Sequence, residues 1–122
     1  MPKSSLKVSH PRTGEEGYQV GMEVFHQLHC INLLRRVAYK EYYEPLGGEL
    51  AAGREALQHH TDNCIEILRL NVHCNADIGL FTLYMVEGDS QVWPELKSKH
   101  VCRNFQEAKQ WALDHSVGKM EL

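Results

Sequence analysis

Apolar residues recur at helical spacing along two stretches of the chain. From Tyr18 to about Tyr42, Val20, Val24, Leu28 and Ile31 fall on one side of a predicted helix, and His26, Cys30, Leu33 and Val37 fall roughly opposite, at about 100° per residue. A helix with apolar side chains on two faces is expected to be buried on both, its histidines turned into the protein. Pro45, Gly47 and Gly48 interrupt the pattern, and a second helix is predicted from about Gly53 or Arg54 to His73, with Leu57, His60, Cys64, Ile67 and Leu68 in one stripe. Asn75-Ala-Asp77 closes that helix. Leu80 to Val86, rich in β-formers between Gly79 and Gly88, predicts a short extended or β segment, and Val92-Trp-Pro94 a loop anchor. Phe105, Ala108, Trp111 and Ala112 mark a C-terminal helix with Asn104 as its N-cap. Residues 1–17, polar and punctuated by Pro2, Pro11, Gly14 and Gly17, read as a flexible N-terminal arm, 18–116 as a single helical domain, and 117–122 as a frayed C-terminus.

The two helices repeat a motif. His26-Gln-Leu-His-Cys-Ile-Asn-Leu-Leu-Arg35 is echoed by His60-Thr-Asp-Asn-Cys-Ile-Glu-Ile-Leu-Arg69, with identity at the leading His, the Cys, the following Ile, the second Leu and the Arg. Each copy places its His, its fourth residue and its Cys at i, i+3 and i+4, which is one face of a helix. The expected fold is therefore mainly α: a compact helical domain built around two antiparallel motif helices related by internal duplication, with a C-terminal helix and a short extended or β segment.

Composition sharpens this. Eight histidines in 122 residues is a high count, and four of them, His26, His29, His59 and His60, lie in the echoed stretches. A net charge of -3 without a Lys/Arg cluster argues against nucleic acid as the main partner. No run is long and apolar enough to span a membrane, and the N-terminus lacks the apolar centre of a signal peptide. As written the chain is expected to be soluble, and to belong to the secretory pathway if a native N-terminal anchor precedes it. Its four cysteines fit two disulfides or reduced thiols. Cys30 and Cys64 could be thiolate ligands, a disulfide between the helices, or small buried apolar residues; a disulfide is the expectation, with Cys74 and Cys102 as a second pair.

The histidines carry the candidate chemistry. An i, i+3 imidazole pair on one helix and a third on the facing helix supply most of a coordination shell for copper or zinc, so His26, His29 and His60 are the candidate metal ligands and catalytic residues. Asn63 stands where the duplication asks for a fourth imidazole, and an amide is a poor ligand for such metals. The site is then either a three-histidine centre with an open coordination position or a metal-free acid/base site in which Asn63 donates a hydrogen bond. Asp62 and Asp77 are candidates to orient imidazoles from behind. Arg35 and Arg69 are expected to snorkel or to pair with a helix-end carboxylate, and Trp93 and Trp111 to anchor the core.

At these residues the sequence resembles the UstYa-like family of fungal secondary-metabolite biosynthesis, covering mycotoxins and cyclic peptides. The likeness runs from Gly17 to about His115: Gly-Tyr-Gln-Val-Gly-Met-Glu-Val-Phe-His-Gln-Leu-His-Cys-Ile-Asn over 17–32, His60 to Cys64 with Leu68-Arg69, Cys74-Asn-Ala-Asp77, His100-Val-Cys-Arg-Asn-Phe105 and Trp111-Ala112. The family signature is a doubled His-x-x-His-Cys, whose histidines fall on His26, His29 and His60 and whose cysteines fall on Cys30 and Cys64. Asn63 replaces the last motif His, and the family's usual N-terminal membrane helix is not in this sequence.

The resemblance implies a tailoring enzyme acting on peptides or related metabolites, by reactions such as oxidative macrocyclisation, hydroxylation, halogenation, rearrangement or acyl transfer, with copper implicated in the oxidative ones. The first expectation is a copper-dependent oxidase or oxidative cyclase. The alternatives are a metal-free cyclase or isomerase, with no cofactor, and a non-catalytic partner of an intact homologue. A homodimer or a heteromer with a homologue is expected in each case, because two-faced apolar helices leave surface to bury.

Overall fold

The computed structural model describes residues 4–118; the ends of the predicted arm and of the predicted frayed C-terminus, 1–3 and 119–122, lie outside the described residues. Helix α1 spans Glu23–Ala38, and a single further turn, α2, spans Lys40–Tyr43. Helix α3 runs Arg54–Asn75 and α4 runs Phe105–Asp114. Two antiparallel hairpins complete the chain: β1 (Lys7–Ser9) with β2 (Glu16–Tyr18), and β3 (Leu83–Met85) with β4 (Val92–Pro94). The fold is mainly α, as the periodicity predicts. α1 begins five residues later than expected, because the backbone at Met22 is still extended. Val92-Trp-Pro94, expected as a loop, is a strand, with Tyr84 opposite Trp93. Within the stretch read as an arm, Lys7–Ser9 and Glu16–Tyr18 pair as a hairpin.

The core is small and built around the duplicated cysteines. Cys30, Leu33, Leu50, Leu57 and Cys64 are buried, with Val37, Tyr43 and Leu68 packed against them. Glu49 reaches both Arg36, late in α1, and His60, early in α3, so the two motif helices are antiparallel across this cluster. Each fully buried leucine contributes about 1.5–3 kcal/mol of apolar transfer. Cys30 and Cys64 form a disulfide, Cα–Cα 5.0 Å, which ties the helices together where they cross. The expected second bond is not formed: Cys74 and Cys102 are unpaired and exposed. Cys74 sits in the last turn of α3, and Cys102 lies in the irregular segment between β4 and α4.

The connection between the motif helices brings a third element to their junction. Pro45 opens a 3-10 turn over Glu44–Leu46, and a second such turn over Gly48–Ala51 buries Leu50 in the core. Gly47 and Gly48 both have φ near +80° (83° and 75°), a conformation that an L side chain rarely adopts. α3 ends where Ala76 turns left-handed, inside the Asn75-Ala-Asp77 stop. α4 is capped as expected, since the Asn104 side chain accepts the Glu107 N–H at 3.3 Å. Phe105 contacts Phe25 of α1, and the Arg12 guanidinium donates to the Asp114 carbonyl at 2.6 Å, tying α4 to α1 and to the first hairpin.

Burial on two faces of α1 is not observed. Cys30 and Leu33 are inside, but Ile31 is 53% and Leu28 46% exposed, because α3 covers only one side of the helix. Trp93 and Trp111, expected as core anchors, are also exposed. Among the described residues no helix is long and apolar enough to cross a membrane.

Candidate metal centre

Beside the disulfide, side chains from three elements converge. His29 on α1 and His60 on α3 stack with ring centroids 5.5 Å apart and planes inclined by 24°. Glu49, from the turn after Gly48, reaches both: its Oε1 lies 3.2 Å from His29 Nε2 and 3.7 Å from His60 Nδ1. Its Oε2 lies 4.0 Å from Arg36 Nη1. One donor atom from each of His29, Glu49 and His60 lies within 4.8 Å of the others, the spacing of a group that could hold one ion. Leu50, buried next in sequence, fixes the backbone from which Glu49 projects.

Two atoms of this group are left over. His29 Nε2 and Glu49 Oε2 are buried without a hydrogen-bond partner. The 3.2 Å approach of His29 to Glu49 is therefore a contact without hydrogen-bond alignment. Buried polar atoms without partners are uncommon and costly. A cation shared between the two imidazole nitrogens and Glu49 Oε1 would satisfy the orphan His29 nitrogen, and a two-imidazole, one-carboxylate donor set is one that copper(II), zinc and iron(II) all accept. The residues present fit such an ion.

The other sequence candidates lie elsewhere. His26 is half-buried on α1 and outside this donor group. The antiparallel arrangement accounts for that: His26 and His60 each precede their cysteine by one turn, so they lie on opposite sides of the disulfide, whereas His29, adjacent to Cys30, stays near the crossing. Asn63 is exposed, with its amide 3.3 Å from His59 Nε2. Asp62 accepts from Gln58 at 2.9 Å, and Asp77 accepts from the Gly79 N–H and faces His100 at 3.9 Å, so neither backs an imidazole of the cluster. Glu49 is not marked by the motif. Its only signal is its position after the Gly47-Gly48 break, since it lies outside the duplication. Arg69 pairs with Glu66 within α3 and not with a carboxylate at a helix end, and that hydrogen bond holds the Glu66 carboxyl below its ordinary range.

An apolar cleft of about 540 Å³ opens along the N-terminal end of α1, lined by Tyr18, Met22, Phe25, Trp111 and His115. Phe25 precedes His29 by four residues on α1, so the cleft and the cluster lie one helical turn apart on the same face. The His115 ring stacks on Trp111 at 4.1 Å and its Nδ1 meets the Trp111 carbonyl at 2.8 Å.

Comparison with known proteins agrees with this architecture of motifs. The family model described as mycotoxin biosynthesis protein UstYa matches residues 1–115. The UstYa family oxidase aprY of Aspergillus flavus is 37% identical over 108 residues, 85% of this chain and 32% of that relative. The UstYa family oxidase VicYb of Bipolaris victoriae is 35% identical over 100 residues, 82% of this chain and 83% of its own. A transacylase, cctO of Talaromyces islandicus, is 30% identical over 114 residues, 88% of this chain and 38% of its own. The chain thus spans about a third of the length of aprY and cctO. No solved structure matches.

Proposed function

The chain belongs to the UstYa family, and from that premise we propose that it is a tailoring oxidase of fungal secondary metabolism, holding a copper ion between His29 and His60. The observation that carries the reading is the meeting of these two imidazoles, one from each motif helix, with the His29 Nε2 buried and without a hydrogen-bond partner. Copper bound there would supply one-electron redox chemistry. The chain's own residues would do the rest. The cleft along Met22, Phe25 and Trp111 would take an apolar part of a peptide or related metabolite and keep water from it. His26, half-buried one residue after the cleft-lining Phe25, would carry a proton to or from the substrate.

Copper titration of the demetallated protein tests this reading. The demetallated protein should take up about one equivalent, H29A and H60A should each lose it, and a chelator should abolish turnover of any substrate found. Full turnover by exhaustively demetallated protein would contradict the copper reading.

A second reading is favoured by Glu49 and by the relative named a transacylase. A carboxylate touching two imidazoles is also a means of orienting a histidine base, so the same cluster would support metal-free acid/base chemistry in a cyclase or isomerase. Turnover that survives demetallation and is lost in H60F would select it.

A further inference from the structure

We propose that Glu49 is the third protein ligand of the ion, in place of the imidazole missing at Asn63, and that Arg36 is the positioning residue that aims it. This rests on the reading that an ion binds between His29 and His60. The duplication would place the missing ligand on α3, but Asn63 is exposed and turned to His59. The replacement comes instead from the connection between the helices, where Leu50 is locked in the core and Glu49 projects back toward the disulfide.

The two oxygens of Glu49 are divided in their partners. Oε1 faces His29 Nε2 and His60 Nδ1, and Oε2 faces the Arg36 guanidinium. That division presents one oxygen to the ion and keeps the other against a fixed positive charge. A carboxylate also lowers the charge of an assembly of a divalent ion and neutral imidazoles, which favours the higher oxidation state of a redox metal. Arg36 is itself held in place: its guanidinium carbon lies 5.7 Å from the centroid of the Tyr43 ring. A Cβ on Gly48 would stand 3.2 Å from Arg36 Nη2, at a φ of +75° that already favours glycine. The Gly47-Gly48 pair therefore provides both the turn that delivers Glu49 and the room for Arg36 beside it.

The test is competition of copper(II) between the full chain and a coloured chelator, with paramagnetic resonance of the copper-loaded protein. E49Q preserves shape and should weaken copper binding by about 100-fold, the upper end of what losing a group that only orients a ligand costs a metal site, with E49D intermediate. R36M should weaken it by about 10-fold and R36K should recover most of that loss, whereas N63A should leave affinity unchanged. The copper resonance should shift in E49Q, a change that a merely structural role for Glu49 would not produce in a folded protein that still binds copper. Affinity and resonance in E49Q equal to those of the parent would overturn Glu49 as a ligand while leaving His29 and His60 intact. An unchanged R36M, or one not recovered by R36K, would overturn the positioning role. Parent protein that binds no copper, or H29A and H60A variants that bind as well as the parent, would overturn the underlying reading and this inference with it.

Discussion

His29 and His60 illustrate what a sequence motif conveys at the scale of single residues. The motif marks His26, His29 and His60 as equals, and the structure joins only His29 and His60. The difference lies in helix direction: a linear repeat is read in parallel, but antiparallel rods bring non-equivalent members of the two copies together. Glu49 was illegible for another reason, because a ligand delivered by a connecting turn has no periodicity. Asp89 allows a separate test of the residue geometry. The Gln91 backbone N–H and the Trp93 indole N–H both donate to its carboxylate, at 2.9 Å each, and hold its pKa below the ordinary range. A group whose folded pKa is depressed stabilises the fold above its unfolded pKa, and that contribution fades as pH falls through the folded value. The Trp93 indole proton resonance should therefore move at a pH below that of ordinary aspartates, and D89N should remove the transition.

At the scale of elements, the helices and the ends of α3 and α4 are legible, and the ends of α1 and the strands less so. α3 and α4 fall where periodicity, the Asn75-Ala-Asp77 stop and the Asn104 cap place them. Replacing Asn104 by Ala should cost about 1 kcal/mol of local helix stability, read as faster amide exchange in the first turn of α4. Val92-Trp-Pro94 is not legible as a strand because three residues carry too little alternation to be seen without a partner. The disulfide is the chief constraint between elements. It closes a separation of 34 residues around a core of five buried side chains. Replacing both Cys30 and Cys64 by Ala should lower unfolding free energy by about 2–4 kcal/mol, measured by denaturant titration. A loss near zero would mean that leucine packing alone fixes α1 against α3.

Across the whole molecule, stability is uneven. α1, α3 and the turn carrying Leu50 share the core, whereas the β3–β4 hairpin packs chiefly on itself and exposes Leu83, Met85, Val92 and Leu96. A two-stranded hairpin is marginal alone. Amide exchange should therefore be slowest around Cys30 and Cys64 and fast throughout 78–101; uniform protection would contradict this division. Composition placed the chemistry in the histidine-rich stretches but was silent on which surfaces stay uncovered, since Leu28 and Ile31 have the pattern of buried residues and lie exposed. The central claim is that this small core exists to bring one imidazole from each motif helix to a shared ion. Electron spin-echo modulation of the copper-loaded chain counts the imidazoles bound to the metal. Two should be found, falling to one or to no bound copper in H29A and in H60A; a count that neither substitution changes would contradict the account.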